Sequence, residues 1–230
     1  MNTDEAIRER HSVRSYEDRA IDKDKIEVLE REIAECNRLG GLDIQLVTDE
    51  PRAFDSFMAH YGKFSGVRNY IAMVGKKGED ERIGYYGERL VLLAQTLGLN
   101  TCWVALTFSK RKTGCRIGPD GKLFCVIAIG YGKTGGVEHR SRPMSELCRV
   151  QGDMPEWFRN GMEAAMLAPT AVNQQKFLFT LDNDTVTAER TGGMYSLVDL
   201  GIVKYHFEVG SGKEGLFKLR KEGVHPSMFM

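Results

Sequence analysis

Three short stretches of this 230-residue chain hold the residue types that do chemistry. In RERHSVRSY, residues 8–16, Arg10, His11, Ser12 and Arg14 crowd together just after a short charged segment. Two guanidiniums, an imidazole and a hydroxyl suit a phosphate and its neighbouring hydroxyls, because the Arg fork matches phosphate oxygens. The same residues also make an ordinary solvated helix end with Val13 and Tyr16 turned inward, and composition by itself favours that plainer reading. In EHRSRP, His139, Arg140 and Arg142 follow the glycine-rich run GYGKTGG. Glycines let backbone amides approach an anion closely, although such a loop on its own is most often a mobile surface loop. The third stretch is APTAVNQQKF, residues 168–177. Pro169 fixes the backbone, the Thr170 hydroxyl can bond locally, and Asn173, Gln174 and Gln175 bring paired donors and acceptors. Uncharged amides suit a ring edge of alternating donors and acceptors, such as a pyrimidine-like edge; a polar helix-to-strand connection is the plain alternative.

The elements around these stretches can be read from periodicity. Thr3 is expected to cap a short helix with Asp4 and Glu5 in its first turn. A longer helix from about Asp24 sets Ile26, Leu29, Ile33 and Cys36 on one face, and Gly40-Gly41 ends it. LDIQLVT and VRNYIAMVG read as strands, the second ended by a charged turn GKKGEDER. From Tyr85, YYGERLVLLAQTLGL is an apolar helix, and TCWVALTF a strand. PDGK reads as a hairpin turn into a central strand, LFCVIAIG. The pattern then starts again: the helix PEWFRNGMEAAM, the strand KFLFTLD and a second apolar helix, YSLVDLGIVKYHFEVG. This order implies an α+β fold with a mixed or antiparallel sheet wrapped by helices. It also suggests one domain, 1–230, made of two related half-units, about 1–150 and 151–230.

Several function classes are excluded or weakened. Thirty-two basic residues balance thirty-two acidic ones, so no general field attracts nucleic acid or an anionic membrane. Five scattered cysteines form no C-x-x-C pair, and the five histidines form no H-x-x-x-H pair, so metal chemistry has no support. A P-loop reading of GYGKTGG fails because its first glycine position is Ile127. No G-x-G-x-x-G follows a strand and no G-x-S-x-G is present, which removes a Rossmann unit and a nucleophile elbow. The charged start MNTDEAIRER and apolar runs too short to span a bilayer predict a reduced, cytoplasmic protein.

Taken together the pieces resemble the FMN-dependent nitroreductase superfamily. RHSVRSY is close to that family's N-terminal Arg-Arg/His-Ser-x-Arg/Lys-x-Phe/Tyr signature. APTAVNQQKF is similar to its Ala-Pro-Ser-x-x-Asn-x-Gln-Pro segment, with Thr170 for serine and Lys176 for proline. LGLNTCWV resembles the helix exit before its flavin-facing strand, and IAIGYG with HRSRP its closing Gly-Tyr turn and basic residues. One departure is informative. The Pro-Ser-Asn segment ordinarily follows the arginine signature soon after, in the place of ECNRLGGLD here, and in this chain it sits in the second half.

The resemblance implies a nitroreductase-like fold and an FMN cofactor. In the family each flavin lies between two subunits; here both contributions lie on one chain, which implies a monomeric pseudo-dimer, or at most a weak homodimer, with one complete flavin site. Carried over by position, Arg10, His11 and Ser12 would hold the phosphate and ribityl chain, and Arg140 and Arg142 would complete the grip. Arg14 would lie at the N1/O2 edge of the ring. Pro169, Thr170, Ala171, Asn173 and Gln175 would cover the ring, and Val104, Ala105, Leu106 and Thr107 would present backbone groups near N5. The implied reaction is ping-pong, from NADH or NADPH through flavin N5 to a small organic acceptor, nitroaromatic or quinone-like. No side chain is needed as an acid or base, so no catalytic residue is expected. A non-catalytic flavin-binding or interaction module is the competing expectation.

Overall fold

The computed structural model describes residues 1–55, 59 and 61–219. His60, His225 and the end of the second half-unit lie outside them. Helix α1, Thr3–Glu9, is capped by Asn2 rather than Thr3. The Asn2 side chain accepts from Glu5 N at 2.8 Å and the Glu5 carboxylate accepts from Asn2 N at 2.9 Å, a reciprocal pair that leaves Thr3 as the first helical residue. Helix α2, Lys23–Gly40, buries Leu29, Ile33 and Cys36 and ends at Gly41, whose φ of 64° suits glycine. Strand β1 is only Gln45–Val47, shorter than LDIQLVT. The Asn37 side chain takes both Ile44 N and Ile44 O, at 2.7 and 2.9 Å, while Asp43 N still donates to Val74 O at 3.0 Å.

Strands β2 (Asn69–Lys76), β3 (Asn100–Val104) and β4 (Gly121–Gly130) complete a four-stranded sheet in the order β1-β2-β4-β3, antiparallel throughout. TCWVALTF therefore leaves the sheet at Val104. PDGK turns the chain into β4 but closes no hairpin, since the antiparallel partner β3 lies across residues 105–120. Helix α3, Asp80–Thr96, starts five residues before Tyr85. The expected charged turn is its first turn: Glu79 accepts from Lys76 N at 2.7 Å, and Asp80 and Glu81 sit where the helix dipole favours acids.

The second half contains α4 (Met144–Leu147), β5 (Cys148–Val150), α5 (Glu156–Met166), β6 (Phe177–Asp182), β7 (Thr185–Arg190) and α6 (Ser196–Ser211). Strand β5 runs parallel to β6, and β6 pairs antiparallel with β7 across a tight turn at Asn183. Sequence periodicity marked neither β5 nor β7, nor α4. The order helix–strand–strand–helix of α2-β1-β2-α3 recurs in α5-β6-β7-α6, and the α+β reading holds.

Helices α3 and α6 meet backbone to backbone. A Cβ on Gly84 would lie 1.9 Å from Val198 O, and one on Gly201 1.9 Å from Glu81 O, so only glycine permits this crossing. Beside the crossing, Lys204 and Glu81 form a buried ion pair at 2.6 Å. No helix among the described residues is long and apolar enough to cross a membrane.

Candidate functional site

After α1 the chain becomes extended and runs along the start of β3. Ser12 bridges Thr101, Val13 N donates to Thr101 O at 3.0 Å, and Ser15 bridges Ser65. Val13 and Tyr16 go inward and Arg14 outward, a three-residue spacing of the inward side chains that departs from strict strand alternation. Tyr16 anchors the run by donating its hydroxyl to Val13 O at 2.7 Å. The exposed Arg14 guanidinium lies 5.9 Å from the centre of the Phe64 ring.

Arg10 turns the other way. It is 4% exposed and 3.9 Å from Glu88, and its Nε finds no hydrogen-bond acceptor. Burial pulls the guanidinium below its ordinary pKa, and the Glu88 charge opposes that shift. Glu88 also accepts from Trp103 Nε1 at 2.8 Å and faces His206 Nε2 at 2.8 Å, joining α3, β3, α6 and the N-terminal run through one buried carboxylate.

The glycine-rich stretch lies directly on this run. Gly136 has φ of 84°, and a Cβ there would come within 2.6 Å of His11 Cβ. His139 follows, its Nε2 buried without a partner, its imidazole pKa lowered by burial first and by Arg10 second. Arg140 O accepts from the Asn173 and Gln175 side chains at 2.9 and 2.7 Å, and Arg142 N donates to Gln175 Oε1 at 2.8 Å. The Arg142 guanidinium pairs with Glu146 on the surface at 3.0 Å.

The Pro169–Gln175 segment is therefore tied to the basic loop by its own amides. Gln175, 2% exposed, spends its amide on Arg140 O, Arg142 N and Asn173 Oδ1. Thr170 Oγ1 accepts from Gln175 N at 3.0 Å. Three of these residues have left-handed backbones: Val172 at φ 47°, Asn173 at 54° and Gln175 at 47°. For a β-branched residue such as Val172 that is a true outlier, and it is 93% exposed.

The structure thus brings together three of the four groups of expected residues: Arg10 to Ser12, His139 to Arg142, and Pro169 to Gln175. Arg14 leaves the same run from its outer side. Val104 to Thr107 sit at the end of β3, with Leu106 exposed, and among the described residues no hydrogen bond joins them to the other groups. A cavity of about 410 Å³ opens beside Tyr16, Phe54, Phe64, Arg68 and Lys133, and its lining includes none of the expected residues. Sequence reasoning passed over Glu88 and Asp199, and read Cys102 as a small core residue; it is buried, which raises its thiol pKa. The signal was there for the two acids: Glu88 and Asp199 are set in apolar helical runs.

This geometry sits in a recognisable frame. The chain matches the family described as "Putative TM nitroreductase" over residues 2–211. It belongs to that family. Among solved structures, a Thermotoga maritima protein described as a "putative nitroreductase" superposes with a TM-score of 0.61 at 24% identity, covering 91% of this chain and 83% of that one. A Parabacteroides distasonis protein described as "Putative NADH dehydrogenase/NAD(P)H nitroreductase" gives 0.51 at 24% identity, covering 64% of this chain and 97% of its own. A Desulfovibrio desulfuricans "putative nitroreductase", solved in complex with FMN, gives 0.51 at 19%, covering 67% and 98%. These likenesses establish the nitroreductase fold. No curated protein matches the chain.

Proposed function

We propose that this chain is an FMN-dependent oxidoreductase that uses NADH or NADPH to reduce a small nitroaromatic or quinone-like acceptor. The observation that carries the reading is the convergence of the arginine run, the basic loop and the strained Pro169–Gln175 segment in a member of a nitroreductase family. The residues present fit the phosphate end of FMN. Arg10 Nε, 3.9 Å from Glu88, and His139 Nε2 are buried polar atoms without a hydrogen-bond partner, with His11 near His139, a donor set suited to a phosphate.

When bound, FMN supplies two-electron transfer between nicotinamide and acceptor. In this reading Arg10, His11 and Ser12 hold its phosphate and ribityl chain, aided by Arg140. Arg14 sets a fixed cation at the ring edge that becomes anionic on reduction. Pro169, Thr170, Ala171 and Asn173 shield the ring from water. Gln175 and the Arg142 backbone hold that shield in place, because their polar groups are already bonded to each other. Val104 to Thr107 complete the wall opposite. No side chain of the chain itself moves a proton in this scheme.

Two facts support a single-chain pseudo-dimer with half-units of about 1–150 and 151–230: the recurring element order, and the fit of nearly the whole Parabacteroides protein onto 64% of this chain. Five free cysteines suit a reducing cytoplasm. The decisive experiment is the visible absorption spectrum of purified protein after FMN is added and the excess removed. A retained, perturbed flavin spectrum that bleaches with reduced nicotinamide is expected. A colourless protein would sink the reading. Arg14→Ala should weaken retention about tenfold and slow bleaching, the loss of one charge-assisted contact.

A further inference from the structure

The acid that sequence reasoning passed over on α6 is placed against the strained segment. Asp199 lies on the first turn of α6, 5% exposed. Its Oδ1 accepts from Ala171 N at 3.0 Å and its Oδ2 from Gln174 Nε2 at 2.7 Å. Gln174 Nε2 also donates to Met194 O at 2.8 Å, so one carboxylate and one amide stitch together the segment, the α6 entry loop and α6 itself. These two contacts fall on either side of Val172 and Asn173, whose left-handed backbones need outside support to persist. The α6 entry is itself unusual, with Tyr195 at φ 57°.

We propose that Asp199 is the positioning residue that holds the Pro169–Gln175 segment in its strained shape across the ligand face. This rests on the flavin reading above and goes beyond it by naming what keeps that wall closed. Burial, only partly offset by bonds to Gln174 and Ala171, raises the Asp199 pKa from the ordinary carboxylate value to about 6. Among the described residues no charge compensates it. From α3, Glu81 is paired with Lys204 and Tyr85 donates to Glu208. From β7, Arg190 bonds Ser196, and the charged residues of α5 (Glu156, Arg159 and Glu163) are exposed, as is Lys176. The sign follows: an acid with a folded pKa above its unfolded one lowers stability as pH rises from about 4 through about 6. A group that disfavours folding at neutral pH, set beneath three strained residues, is a functional arrangement.

Asp199→Asn separates the two roles. Asparagine is nearly isosteric but presents one acceptor and one donor group, so it satisfies Ala171 N or Gln174 Nε2 and not both. At pH 8 the variant is expected to melt no lower than wild type, with its relative stability improving from pH 5 to 8. Its FMN dissociation constant should rise about tenfold, and amides 170–175 should exchange faster in the FMN-free protein. Gln174→Ala, which cuts the same link from the other side, should weaken FMN to a similar degree and add little to Asp199→Asn. An unchanged dissociation constant and unchanged exchange in both variants would overturn the proposal. So would a weakening that only tracks a lower melting temperature. If wild type binds no FMN, the flavin reading fails, and exchange at 170–175 alone still decides the role of Asp199.

Discussion

The two sheets of this molecule are built to different standards. The four-stranded sheet is buried on both faces: along β4, Cys125, Ile127 and Ile129 enter one apolar cluster while Leu123, Val126 and Ala128 enter another. The three-stranded sheet is covered unevenly: β6 buries Leu178 as well as Phe177 and Phe179, but β7 alternates half-buried Val186 and Ala188 with exposed Thr185, Thr187 and Glu189. The units also continue differently. After α3 the first unit adds β3, which the arginine run lies along, and β4, which leads into the basic loop. After α6 no strand follows among the described residues. The same element order stands in both places, and in the proposed flavin reading only the first is extended into a site wall, the other lending a shield and its support.

Five substitutions, one of them added in a double variant, test that contrast. The largest effect is expected at the junction of the units. Lys204→Met leaves Glu81 charged and unpaired at 2% exposure, which should cost about 3–5 kcal/mol in denaturant unfolding. Adding Glu81→Leu should recover most of it. In the doubly buried sheet, Ile127→Ala should cost about 2–5 kcal/mol. At the helix crossing, Gly201→Ala drives a methyl into the α3 backbone and should cost at or above the top of the usual range of about 1–3 kcal/mol for overpacking. On the bare face, Thr187→Ala should fall within about 0.5 kcal/mol. Comparable losses at Ile127 and Thr187 would mean that the two sheets are equally covered.

Much of this was legible because it is local. The α2 stripe, the apolar cores of β2, β4 and β6, and the recurring helix–strand pattern all follow from periodicity and glycine stops. The errors also have local causes acting through side chains. Glu79 starts α3 early, and Asn2 displaces Thr3 as cap. Strand β7 escaped because the apolar face of TVTAER is only Val186 and Ala188, too short a stripe to stand out. For the site, residue types marked Arg10, His11, Arg140 and the Pro169–Gln175 segment, but not how they would be used. The Asn173 and Gln175 amides, which suggested a ligand edge, are spent on Arg140 and Arg142. Partners supplied from distant sequence, such as Asp199 for Ala171 and Glu88 for Arg10, have no local signature except an acid among apolar neighbours.

Strand β5 has two allegiances. By chain it closes the first unit, within residues 1–150; by hydrogen bonding it is the parallel neighbour of β6 in the second. The peptide link that follows it, through Gly152 at φ 87°, is exposed and turns away from the sheet. The covalent connection is thus one tie among several, beside the β5–β6 ladder, the α3–α6 crossing and the Lys204–Glu81 pair. A chain cut at that exposed link would still have those ties to break before its pieces could part.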